Sequence, residues 1–191
     1  YLLDGKLNFI ASEAGNQIVD VNHILEDKQG RLWFASFGQG LFVLDDGSAT
    51  NLSTESGLPS NYCYQMVLDN DSNIWVSHQK SLTQLTSDLE VKRTVSREEL
   101  APTESSMVSF LFKDKEGNIW IGTRSGGAVK YNPLNNKLLV FNQSNGLSSD
   151  FIMAMEQDHS GKIYFGLNSA GLDILSPNGK IKNLGIETLG T

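Results

Sequence analysis

Asp114-Lys-Glu-Gly117-Asn-Ile-Trp120 is one of four near copies of a single phrase, the others being Asp27-Lys-Gln-Gly30-Arg-Leu-Trp33, Asp69-Asn-Asp-Ser72-Asn-Ile-Trp75 and Asp158-His-Ser-Gly161-Lys-Ile-Tyr164. The closing aromatics lie 42, 45 and 44 residues apart (75−33, 120−75, 164−120). That period belongs to radial repeat architectures, in which one supersecondary unit recurs. Within each copy the Asp-x-x-Gly step reads as a tight turn, with the carboxylate capping backbone amides and Gly in the left-handed conformation a hairpin bulge requires.

Strands flank the turn. Upstream stand Ile24-Leu25-Glu26, Met66-Val67-Leu68, Phe110-Leu111-Phe112 and Met153-Ala154-Met155, dense enough in apolar residues to predict a strand buried on both faces. Downstream, Leu32-Trp33-Phe34, Ile74-Trp75-Val76, Ile119-Trp120-Ile121 and Ile163-Tyr164-Phe165 are rich in β-branched and aromatic residues that suit a pleated surface. A second turn follows at Gly38-Gln-Gly40, Gly126-Gly127 and Ala170-Gly171, then a third strand such as Leu41–Leu44 and a weaker fourth such as Leu138–Phe141. From Gly57 to Asp69 and from Gly146 to Asp158 the chain takes twelve residues to cross to the next unit.

Four short strands per unit and no helical periodicity predict an all-β fold of β-propeller blades, each of four antiparallel strands. The blades are expected over 22–53, 64–97, 107–143 and 152–184, with Tyr1–Ile10 as the last two strands of a preceding one. The whole chain, 1–191, then reads as a single partial propeller of about four and a half blades. The polar stretch Ser96–Ser105 reads as an enlarged loop, a place where repeat proteins often put specificity.

Composition excludes some partners. The net charge of −7, from 15 basic and 22 acidic residues, is wrong for nucleic acid or an anionic membrane, because both need a basic footprint. No apolar run approaches the roughly 20 residues that cross a bilayer, so this segment is not expected to insert into a membrane directly. Cys63 lies in the apolar run Tyr62–Leu68 and reads as a packed residue rather than a nucleophile.

The pattern Asp-x-x-Gly-Asn-Ile-Trp-Ile-Gly-Thr, then Gly-Gly, Tyr-Asn-Pro and Asn-Gly-Leu-Ser-Ser, best seen in Asp114–Pro133 and Asn145–Asp150, resembles the two-component regulator propeller repeat. Ser72 at the turn glycine, Tyr164 at the tryptophan and the missing Gly-Leu before the third blade depart from it. The resemblance implies a periplasmic sensor region of a bacterial membrane signalling protein, commonly a hybrid histidine kinase and sometimes a cyclase. It further implies sensing of polysaccharide breakdown products and seven-bladed propellers, of which four and a half blades are a piece. Exposed strand edges on such a piece would pair with other blades or with a second copy, giving oligomers, or the two N-terminal strands would close onto the last blade.

No catalytic constellation, metal-ligand spacing or cofactor motif is read. Asp69-Asn-Asp-Ser-Asn73 imitates the start of a calcium loop, but Ile74 stands in place of the required glycine and Lys80 in place of the bidentate Glu. His23, His78 and His159 show no paired spacing. The recurring Trp33, Trp75 and Trp120 read as packing between blades. Candidate ligand-binding residues are those that break the repeat after the second strand or at the crossing turns: Phe37, Gln39, Tyr62, His78, Arg124 and Asn168. An oligosaccharide would take hydrogen bonds from Arg124, His78 and Asn168 and stack on Phe37 or Tyr62. The expected function is a sensory binding module without chemistry of its own. The alternatives are a propeller enzyme of lactonase or polysaccharide lyase type and a protein-interaction scaffold.

Overall fold

A computed structural model of the chain describes residues 2–3, 6–7, 17–100 and 108–185. After a two-stranded ribbon of β1 (Leu2–Leu3) and β2 (Lys6–Leu7), four antiparallel sheets of four strands follow in chain order. Sheet 1 holds β3 (Val21–Glu26), β4 (Leu32–Ser36), β5 (Gly40–Asp45) and β6 (Ser48–Leu52). Sheet 2 holds β7 (Cys63–Leu68), β8 (Ile74–His78), β9 (Ser81–Leu85) and β10 (Val91–Ser96). Sheet 3 holds β11 (Val108–Lys113), β12 (Ile119–Thr123), β13 (Ala128–Asn132) and β14 (Lys137–Phe141). Sheet 4 holds β15 (Ile152–Gln157), β16 (Ile163–Leu167), β17 (Gly171–Leu175) and β18 (Ile181–Leu184). Each sheet is a propeller blade, and each runs from first strand to fourth in sequence order.

The repeated phrase makes the first hairpin of every sheet. Gly30, Gly117 and Gly161 have φ of 82°, 84° and 82°, and Ser72 takes the same left-handed turn at 68° without a glycine's freedom. The Asp does more than cap the turn. Asp114 Oδ1 accepts the Asn118 amide at 2.8 Å while its Oδ2 accepts Trp120 Nε1–H at 2.8 Å. Asp27 holds Trp33 at 2.8 Å, Asp69 holds Trp75 at 3.0 Å, and Asp158 takes the Tyr164 hydroxyl at 3.0 Å. Every copy is therefore a clasp, a carboxylate that closes the turn with one oxygen and fixes the recurring aromatic with the other. Tyr164 departs from tryptophan yet keeps a donor.

The chain divides into two compact units, Tyr1–Thr94 and Val95–Thr191. In the first, Trp33, Ala35, Leu41, Val43 and Leu58 pack against Cys63, Met66, Ile74, Val76 and Leu85. Asn22 Nδ2 also donates to the Cys63 carbonyl at 2.9 Å and Arg31 Nη2 to that of Ser87 at 2.7 Å. In the second, Trp120 and Ala128 pack against Ile152, Met155, Ile163, Phe165 and Leu175. Trp120 stacks on Phe141 with centroids 5.3 Å apart and meets Phe165 edge-on at 5.7 Å. Trp33 and Trp120 are packing residues between sheets, as the repeat suggests.

Two expectations change. The first strands are not buried on both faces: Ile24 and Met153 are exposed, because an apolar triad looks the same in sequence whether one face or two is covered. A one-turn helix, Arg97–Leu100, sits in the stretch expected to be a loop. Ser96 and Glu99 cap it reciprocally, Ser96 N–H donating to Glu99 Oε2 at 2.8 Å and Glu99 N–H to Ser96 Oγ at 3.3 Å. The rest of that stretch, 101–107, lies outside the described residues, as does most of Tyr1–Ile10. β1 and β2 pair with each other, Leu2 opposite Leu7, as a separate ribbon.

Candidate functional site

The turn after the second strand of one sheet meets the crossing segment of the next, and the main chain locks the two together. Gly40 N–H donates to the Asn61 carbonyl at 2.8 Å and Gly127 N–H to that of Asp150 at 2.9 Å. A side chain at Gly127 would run into the Phe141 carbonyl. These junctions carry most of the residues that break the repeat.

In the first unit, Phe37 and Tyr62 bridge strands and pack edge to face with centroids 4.8 Å apart. Both are 47% exposed. Tyr64 joins them, 5.9 Å from Phe37. Sequence reasoning passed over Tyr64, although two residues beyond Tyr62 on a strand is the same face. Gln39 is not free for a ligand: its Oε1 accepts Val19 N–H at 2.9 Å and its Nε2 donates to the Gln17 carbonyl at 3.1 Å. It ties the incoming segment to the sheet.

In the second unit the equivalent corner is built from Arg124, whose guanidinium lies over the Phe151 ring at 5.9 Å. Exposed Asn168 follows β16, its N–H bonded to the Phe151 carbonyl at 3.0 Å. The two corners occupy the same place in the repeat.

His78 does not belong to this set. It is wholly buried at the end of β8, with Nδ1 3.7 Å from Cys63 Sγ. Counting from the aromatic explains the error. Ser36, His78, Thr123 and Leu167 stand three residues after it, on the strand, and all are buried. Phe37, Gln79, Arg124 and Asn168 stand four after it, in the turn, and all are exposed. A shift of one residue along a strand moves a side chain to the other face.

Electrostatics agree with this division. Burial pulls His78 down to about 4 and pushes the Cys63 thiol up to about 12, so both are neutral packing groups at neutral pH. Burial alone would raise Asp69, but donors on Asn73, Trp75 and Gln84 outweigh it and hold the carboxyl below its ordinary range. Those donors occupy the oxygens that a calcium loop would offer. The corners present ring faces, a guanidinium and a carboxamide.

Residues 15–38 and 104–125 match the family model described as the two component regulator propeller. The extracellular domain of a hybrid two component system from B. thetaiotaomicron shares the fold with a TM-score of 0.72 at 24% identity, over 86% of this chain and 22% of that one. A second such domain from the same organism gives 0.73 at 22% identity, over 94% and 25%. Virginiamycin B lyase from Staphylococcus aureus gives 0.68 at 13% identity, over 85% and 54%. The chain thus spans about a quarter of the length of the two-component relatives. No curated protein matches it by sequence.

Proposed function

We propose, from the two-component regulator propeller repeats that this chain carries, that it is a ligand-sensing extracytoplasmic segment of a bacterial signalling protein. It takes an oligosaccharide at the turn and crossing corners and passes the signal across the membrane to an output domain outside this chain. The segment has a periplasmic place in this reading; no described helix is long and apolar enough to cross a membrane. The observation that carries the proposal is the pairing of exposed Phe37 with Tyr62 and of exposed Arg124 with Phe151 at one repeat position, Phe37 and Arg124 each following a buried residue, Ser36 and Thr123. Sugar rings stack on aromatic faces through their C–H edges, and hydroxyls take bonds from guanidinium and amide donors.

The test is calorimetric titration of the chain with oligosaccharide pools from polysaccharide digests, followed by Phe37→Ala, Tyr62→Ala and Arg124→Ala. Each variant is expected to weaken binding about tenfold, the size of one aromatic or charged contact. Unchanged affinity in all three would remove the corners as the site. The lyase that shares the fold supports a second reading, an enzyme; the same titration separates the two, because an enzyme would consume the bound sugar.

A further inference from the structure

The outer strand of sheet 3 departs from its sisters. β14 reads Lys137-Leu-Leu-Val-Phe141, whereas β6 reads Ser-Ala-Thr-Asn-Leu and β18 reads Ile-Lys-Asn-Leu. Register makes the difference sharper. On the third and fourth strands, sheet 1 pairs Val43 with Thr50 and sheet 4 pairs Ile174 with Lys182, apolar inside and polar at the edge. Sheet 3 inverts this and pairs Lys130 with Leu139. The lysine lies inside, its Nζ 5.4 Å from the Trp120 ring and 3.4 Å from Asp114 Oδ2. The leucine at the edge is 59% exposed. Leu139 and Phe141 also line a cleft of about 290 Å³ with Ile163, Leu175 and Pro177.

Proteins guard free edges with lysines and polar residues, and at its centre this edge carries Leu138, Leu139 and Val140 instead. We propose that β14 is a self-association surface, on which a second copy of the chain adds its own β14 antiparallel, with Leu139 against Leu139 on a two-fold axis. In that register the strand's one charge, Lys137, does not meet its own copy. Leu138 faces Val140, and each Lys137 ammonium faces the Phe141 ring of the other copy rather than a like charge. The Val140 carbonyl, which accepts Asn145 Nδ2 at 2.7 Å in the single chain, exchanges that donor for a main-chain N–H. Five residues a side make a small contact, so the dimer is weak, with a Kd on the order of 100 μM. This surface is independent of the corners and of any sugar.

Sedimentation of the 191-residue chain from about 10 to about 500 μM tests it. The wild-type chain is expected to move from monomer to dimer across that range. Leu139→Glu sets a carboxylate opposite Lys130 at home and opposite another carboxylate across the axis, so it should stay monomeric while melting as the wild type does. Leu139→Lys should also stay monomeric, and an equimolar mixture of the two should recover dimers, because unlike charges then meet. Leu139→Thr, which copies Thr50 of sheet 1, weakens the dimer without any charge and covers the case of a misfolded variant. A wild-type chain that stays monomeric, a Leu139→Glu chain that associates like wild type, or a mixture that does not recover would each overturn the proposal.

Discussion

Trp120→Ala is expected to cost about 3–5 kcal/mol of stability, the range for removing a large buried aromatic. Trp120 is 1% exposed and touches Phe141, Phe165 and the aliphatic wall formed by Ile152, Met155 and Ile163. Deleting the indole opens a cavity there and takes a donor from Asp114 Oδ2, a buried carboxylate oxygen. Trp120→Phe separates the two effects, since it keeps a ring in the cavity but loses the N–H. Its cost should be about 1.5–3 kcal/mol, that of one hydrogen bond to a charged acceptor, since Asp114 Oδ2 keeps Asn118 Nδ2 at 2.8 Å. Urea denaturation followed by far-ultraviolet circular dichroism reads both. If Trp120→Phe unfolds like wild type while Trp120→Ala does not, packing alone holds the sheet and the clasp contributes nothing.

Acid should weaken the fold well before its carboxylates protonate. His78 titrates near 6.5 in an unfolded chain and at about 4 in the folded one, because burial penalises the imidazolium. Above 6.5 both states are neutral. As pH falls from 6.5 to about 4 the unfolded chain binds a proton that the folded chain refuses, so stability drops, by about 3 kcal/mol in all. Below about 4 the folded state binds the proton too and this loss stops. His23 is also lowered by burial and adds in the same direction. Asp27, Asp69 and Asp158 act in a separate window, because their folded values lie below 3.8 and Asp158 reaches about 2. Their stabilising contribution starts to fall as pH drops below 3.8 and is lost as it falls through those lower values. His78→Asn should flatten most of the slope between pH 6.5 and 4 in urea midpoints taken at half-unit steps. A variant with the wild-type slope would show that His78 is protonated in the folded state.

Hairpins and the four-stranded sheets were legible because they rest on local rules. Turn chemistry at Gly30, Gly117 and Gly161 marks those hairpins, and the apolar triads beside it fall inside strands. The clasp was not read, since it links two positions six apart across a turn. Its signal was nevertheless present: Asp and aromatic recur together, and Tyr164 replaces tryptophan with another donor. His78 was misplaced by one residue, and Gln39 was taken as a recognition residue because nothing in a sequence shows that Gln17 and Val19 will use its amide. The helix at Arg97–Leu100 is too short for any periodicity, and only Ser96 and Glu99 betray it.

Position in the repeat decides whether a residue holds the fold or faces solvent, and two adjacent residues test that most directly. Thr123 is buried; its Oγ1 donates to the Gly127 carbonyl at 2.8 Å and accepts Gly126 N–H at 2.9 Å. Arg124, the next residue, is exposed. Urea midpoints for Thr123→Ala and Arg124→Ala, measured side by side, should show a loss of about 1–3 kcal/mol for the first and less than about 0.5 kcal/mol for the second. Equal losses, or a larger one at Arg124, would contradict the division of the repeat into core and rim.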